Sequence, residues 1–330
     1  MARFITRRVL VGVVTLIAIS IIVFGLFFAV PSSPAKVMCG KNCDPAQIAV
    51  VETRLGLREP ITTQYTKFMK GIFVGRTYAE GSDFEQRCNA PCLGYSFRNN
   101  EPVTAILGRT VPVTISIVAG AAVVWLLIGV SLGMISALRR GTMFDKVAIG
   151  ISLTGASMQV YFFGLILLYI LVYLTGLLPF PSYTPITQNP AQWALGLILP
   201  WLTLGFLNSA IYARLSRAQM LETLSEDYVR TARAKGLPLR RVYTKHALRA
   251  AITPIVTIAG LDIGASLGGT FITETIFGFR GLGKETVDAV NFLNLPIVVA
   301  TVLLAAVFII VANLIVDVLY AFIDPRVRLS

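Results

Sequence analysis

The sequence predicts an all-helical protein that crosses a membrane six times, on three observations. Hydrophobic residues make up 55% of the 330 and charged residues only 14%, too little polar surface to cover a soluble core of that size. The apolar residues fall into six stretches, each close to or above the ~20 residues a helix needs to cross hydrocarbon. The basic residues crowd the ends of those stretches on alternate sides, as orientation signals do. The net charge of +12 is therefore read as membrane orientation, and no nucleic-acid partner is expected.

The first span is expected over Val9–Val30, behind Arg3, Arg7 and Arg8. It exceeds the ~7–15 residues of a secretory core, and Pro31-Ser-Ser-Pro34 offers no clean cleavage site. Residues 1–30 thus read as a cytoplasmic tail and an uncleaved helix. Residues 31–102 are polar, mixed in charge and rich in turns, and are expected to form a small extracytoplasmic domain. All four cysteines lie there, as Cys39-Gly-Lys-Asn-Cys43 and Cys88-Asn-Ala-Pro-Cys92. Outside the cytoplasm such pairs favour disulfides that staple a domain too small for a large core. The spacing is not that of a thiolate metal site, so no metal is expected. Three pairings of the four cysteines stay open.

Residues 103–330 read as a core of five more spans. The second is expected from Pro112 to Leu138; Gly129-Val-Ser-Leu-Gly133 within it has the small-residue spacing that lets helices approach closely. Arg139, Arg140 and Lys146 mark a short inner turn. The third span is expected over 147–177, then a proline-rich, uncharged outer loop to Trp193, then the fourth over 194–212. The fifth is expected over 250–272 and the sixth over 296–321. With this arrangement the inner segments carry seventeen Lys/Arg and the two short outer loops carry two, which sets both termini in the cytoplasm.

Between the fourth and fifth spans, residues 214–249 carry nine Lys/Arg against Glu222, Glu226 and Asp227. A segment so basic stays inside. Its local code reads helix, break, helix. Thr223-Leu-Ser-Glu226 has capping-box spacing, Gly236 suits the left-handed position past a helix end, and Pro238 suits the first turn of the next helix. Tyr228, Ala232, Leu237 and Val242 would offer apolar contacts among the charges.

Several motifs recur in a fixed order: Leu55-Gly-Leu-Arg-Glu-Pro60 with Gln64-Tyr65, Leu93-Gly-Tyr-Ser96, Ala232-Arg-Ala-Lys-Gly236 with His246-Ala-Leu-Arg249 and Pro254, Glu274-Thr-Ile-Phe-Gly-Phe-Arg-Gly-Leu-Gly283, and Asp324-Pro-Arg326. Together they resemble the dipeptide/oligopeptide family of binding-protein-dependent ABC importer permeases, over nearly the whole chain apart from an insertion at Ala79–Pro91. The resemblance implies the six-helix permease fold of type I ABC importers in a bacterial inner membrane. It implies that the 214–249 loop carries a short coupling helix for the ATPase subunits. The coupling residues would be Tyr228, Arg230, Thr231, Ala232, Arg233, Ala234, Lys235, Gly236 and His246, with Thr231 where the family has Glu. It also implies the partners: a homologous second permease, two ATPase subunits that supply ATP and Mg²⁺, an extracytoplasmic binding protein, a peptide substrate and the surrounding lipid.

Other signals point elsewhere and fail. Gly278-Phe-Arg-Gly-Leu-Gly-Lys284-Glu285 nearly spells a phosphate loop, but Glu285 stands where a hydroxyl should meet Mg²⁺, and no strand precedes it. No cofactor or catalytic residue is expected in this chain. Asp262 and Asp317 lie within spans, where a carboxylate costs about 2.5–3.5 kcal/mol and must face a partner or water. Neither has the context of an intramembrane aspartyl protease. Asp262 is expected near the translocation path, against a simple contact between helices; Asp317 is expected in a structural hydrogen bond near the inner surface. His246, the one histidine, has no catalytic partner and is expected to cap or pack the hairpin's second helix. The alternative function is a stand-alone secondary transporter or channel, which would show broken helices, inverted repeats and coupling-ion carboxylates.

Overall fold

The structure is a computed structural model that describes residues 2–29, 35, 44–78, 85–96 and 98–323. Cys39 and Cys43, residues 79–84 of the insertion and Asp324-Pro-Arg326 lie outside the described residues.

Helix α1 (Ala2–Phe24) runs through a wider turn, Gly25–Ala29, towards a small domain. That domain contains α2 (Pro45–Leu55), α3 (Ile61–Val74) and two short antiparallel pairs, β1 (Arg76–Tyr78) with β2 (Gln86–Cys88) and β3 (Tyr95–Ser96) with β4 (Glu101–Pro102). Cys88 and Cys92 are joined by a disulfide and buried with Tyr78 and Tyr95. Among the described residues no group of three metal-ligating side chains comes together. Phe68 of α3 packs on Phe24 of α1, and the Tyr65 and Ser20 hydroxyls meet at 2.7 Å, which fixes the domain to the first helix.

The membrane-crossing helices are longer than the sequence indicates. Helix α4 is Val103–Leu138, nine residues ahead of the expected start. Helix α7 is Pro190–Ser225, capped by the Asn189 side chain, which accepts from the amides of Ala191 and Gln192 at 3.1 Å. Helix α9 is Leu239–Leu267 and α12 is Leu295–Ile323. The third span is not one helix. Helices α5 (Met143–Ser157) and α6 (Val160–Leu174) meet at 103° across Met158-Gln159. The described residues thus hold five long apolar helices, or six spans if the bent pair is counted as one.

Two close approaches fix the bundle. On α4, a Cβ at Gly133 would stand 2.3 Å from the Ala213 carbonyl and one at Gly129 2.8 Å from that of Ser209, so this face of α4 lies directly on α7. On α9, Gly260 and Gly264 do the same against Val316 and Ala312 of α12. The core between them is Ile117, Ala121 and Trp125 of α4, Leu197, Leu204 and Tyr212 of α7, and Ile255 and Ala259 of α9. Between α9 and α12 lie two short helices, α10 (Phe271–Ile276) and α11 (Leu282–Asn291).

Candidate functional site

The basic segment forms a helical hairpin at one end of the bundle. Its residues 214–225 belong to α7, so the hairpin proper begins at Glu226, whose ψ of 144° turns the chain. The expected capping box is absent: the Thr223 hydroxyl donates back to the Gln219 carbonyl at 2.8 Å, because residue 223 still lies inside a helix. Helix α8 (Asp227–Ala234) follows. It ends with Gly236 at φ +74°, the Gly236 amide donating to Arg233 O at 2.9 Å and the Leu237 amide to Ala232 O at 3.4 Å. That pair of bonds is the glycine stop the sequence predicts, since only glycine takes the left-handed position without strain. Pro238, extended at ψ 136°, stands just before α9 and not within its first turn.

Each expected coupling residue has a definite place. Tyr228, Arg230, Thr231, Arg233, Ala234, Lys235 and Gly236 are exposed on or just beyond α8. Burial and the Glu226 carboxylate raise the Tyr228 phenol above its ordinary pKa. Ala232 lies on the other face of α8, buried with Val229 and Val242 where α8 packs on α9, so it holds the hairpin together from inside. The exposed large apolar side chains of this segment are Tyr228 and Leu239. His246 is half-buried within the continuous helix α9, so it packs and does not cap. The hairpin is seated on the bundle through Met220, Ala247, Ala251 and Ala137 of α4.

Both arms of the hairpin run without interruption into the bundle. Within the bundle they are tied again where the Tyr212 phenol of α7 donates to the Asp262 carboxylate of α9 at 2.7 Å. Asp262 thus makes a contact between these two helices while staying half-exposed. Asp317 is paired with Arg8 at 3.2 Å, at the hairpin end of α12 and α1.

Two polar clusters carry no expectation from the sequence. At the hairpin end, buried Asp145 of α5 accepts from Arg217 Nε and Nη2 of α7 at 2.7 and 2.9 Å, from the Gly141 amide at 2.9 Å and from Ser136 of α4. At the opposite end, Glu274 of α10 is 0% exposed. It accepts from the Thr114 hydroxyl at 2.7 Å, the Thr270 hydroxyl at 3.1 Å and the Lys284 amide at 2.7 Å. The Leu282 amide in turn donates to Thr114 Oγ1 at 2.7 Å. The near-match to a phosphate loop is thereby explained: two amides that would cradle a phosphate are taken by this chain's own side chains, and the segment ahead of it is a helix. In both clusters a sequence shows an acid near a glycine and nothing of the one remote partner, Arg217 or Thr114, that another helix brings to it.

Comparison with known proteins assigns this architecture. Residues 129–329 match the family model of binding-protein-dependent transport system inner membrane components, and residues 1–118 match the N-terminal model of the same membrane components. The chain belongs to this family. Similar permeases align end to end. The dipeptide transport system permease protein DppB of Escherichia coli K12 is 33% identical over 99% of both chains. The protein of that name from Alkalihalophilus pseudofirmus is 33% identical over 99% of this chain and the whole of that protein. The di/tripeptide transport system permease protein DppB of Pseudomonas aeruginosa UCBPP-PA14 is 35% identical over 99% of both.

The chain is therefore a multi-pass membrane permease subunit of the ABC importer class, as the motifs indicate. The break in its third span would also suit a stand-alone transporter, but the family assignment overrides that feature. Membership implies ATPase and binding-protein partners.

Proposed function

We propose that this chain forms one half of the translocation path of an ATP-driven importer for peptides, paired with a homologous permease. Two ATPase subunits grip the exposed face of α8, and ATP and Mg²⁺ reside in them. The hairpin, the Arg139–Lys146 turn and both termini face the cytoplasm, and the β1–β4 domain faces the binding protein outside. The observation that carries this reading is the continuity of α7 and α9 through the membrane into the hairpin, with the Gly236 stop between them. Short links at Glu226 and at Lys235–Pro238, with the packing of Val229 and Ala232 on Val242, join α8 to both arms, so a push on it tilts both spans. The relatives' names support peptide as the cargo.

Reconstitution tests the reading. The chain, its partner permease and the ATPases, supplied with the binding protein, accumulate dipeptide in an ATP-dependent manner. Transport by the purified chain alone down an ion gradient would overturn it.

A further inference from the structure

Three aspartates lie on the helices that cross the apolar layer, and two have a cation built in. Asp145 has Arg217 at 2.7 Å and Asp317 has Arg8 at 3.2 Å. Asp262 does not. Among the described residues no Lys, Arg or His comes within the 4.0 Å of an ion pair; the one side chain bonded to it is the neutral phenol of Tyr212. An acidic side chain on a membrane-crossing helix must meet a partner or water, and the phenol supplies one hydrogen bond only.

The surroundings close Asp262 on two sides and leave a third open. One face of α9 is closed by α12, through Gly260 on Val316 and Gly264 on Ala312. Another is closed by α7, through Tyr212, itself buried beside Trp125 with the rings 6.4 Å apart. Asp262 is half-exposed and borders the remaining face, where Leu261 and Ala265 are open. The carboxylate is thus held from behind and presented sideways.

We propose that Asp262 is the group on the translocation path that binds the α-ammonium of the peptide cargo, with Tyr212 as its positioning residue; this rests on the peptide-importer reading above. A peptide crossing the apolar layer carries an ammonium that loses water as it enters. A fixed carboxylate in low dielectric offsets that loss far better than it would in water. Asp262 and Tyr212 ride on the two arms of the coupling hairpin, so hairpin movement changes how the carboxylate is presented.

The test uses the whole complex in proteoliposomes, with its binding protein and radiolabelled dialanine as the probe. Asp262→Asn keeps an acceptor for Tyr212 and removes the charge; Tyr212→Phe keeps the charge and removes the hydrogen bond. Dialanine moved per ATP hydrolysed should fall by about tenfold or more in Asp262→Asn, recover in part in Asp262→Glu, and fall by only about two- to fivefold in Tyr212→Phe. Wild-type transport in Asp262→Asn overturns the proposal. So does a greater loss in Tyr212→Phe than in Asp262→Asn, which would make the pair a latch between helices. Failure of Asp262→Asn to copurify with the second permease also overturns it, by placing the cation in that partner. A wild-type complex that hydrolyses ATP without accumulating dialanine sinks the peptide reading and this proposal together.

Discussion

Thr114 and Glu274 stand 160 residues apart in the chain and 2.7 Å apart in space. Through them α4 is tied to the turn between α10 and α11, since the same threonine oxygen accepts from the Leu282 amide. Gly281 belongs to the arrangement: a Cβ there would lie 2.3 Å from the Glu274 carboxyl carbon. The Glu274-to-Gly283 motif is thus a buried carboxylate, the backbone that closes on it and the glycine that leaves it room.

Thr114→Val should remove one bond to Glu274 and leave the buried Leu282 amide without its acceptor. A loss of about 1–3 kcal/mol is expected, read as a lower unfolding midpoint in detergent. An unchanged midpoint would show the carboxylate to be satisfied without Thr114.

Gly236→Val acts on the hairpin. Nothing lies within 4 Å of the Cβ it would add, so the cost is backbone strain at φ +74°, about 1–2 kcal/mol. The expected outcome is a complex that inserts and hydrolyses ATP but no longer links hydrolysis to uptake. Normal uptake would remove the glycine stop from the mechanism.

Arg217→Ala should be the most damaging of these substitutions to stability. It strips the cation from Asp145, whose side chain is 4% exposed, and leaves a poorly solvated carboxylate without its partner. The paired change Asp145→Asn with Arg217→Gln should recover part of that loss, measured in the same melt.

Glu285 gives a pH dependence. Burial first, then the Asp288 and Glu101 carboxylates, raise its pKa above the ordinary carboxylate value, against Arg109 and Arg280. A carboxyl raised in the folded state contributes stability that is full below its unfolded pKa and is lost as pH rises through the folded one. Glu285→Gln should therefore be the more stable protein at neutral pH, and its advantage should vanish below about pH 4.3. An advantage that persists in acid would have another cause.

Mass mapping of the unreduced protein should find no free thiol, with Cys88 joined to Cys92 and Cys39 therefore left for Cys43. A free thiol or bound metal on the latter pair would reverse the expectation for it.

Much of this protein is decided locally, and there the sequence is sufficient. Apolar length fixes which segments cross the membrane, and the glycine at 236 stops α8 because no other residue takes its backbone angles without strain. The ordered motifs fix the family. Boundaries are less legible: Thr223-Leu-Ser-Glu226 has the spacing of a helix start, yet it ends α7, because packing of Met220 and the hairpin core extends the helix past the apolar stretch. The bend at Met158-Gln159 is hidden for a related reason, since the residues on both sides of it together are apolar enough for a single span. What only the tertiary structure decides is pairing. Asp145, Asp262, Asp317 and Glu274 look alike in a sequence, as single acids near apolar residues. Arg217, Tyr212, Arg8 and Thr114 make one a clamp, one a presented carboxylate, one a surface pair and one a buried anchor. Those partners are brought by helix packing between segments remote in the chain, and local residue order holds no record of that distance.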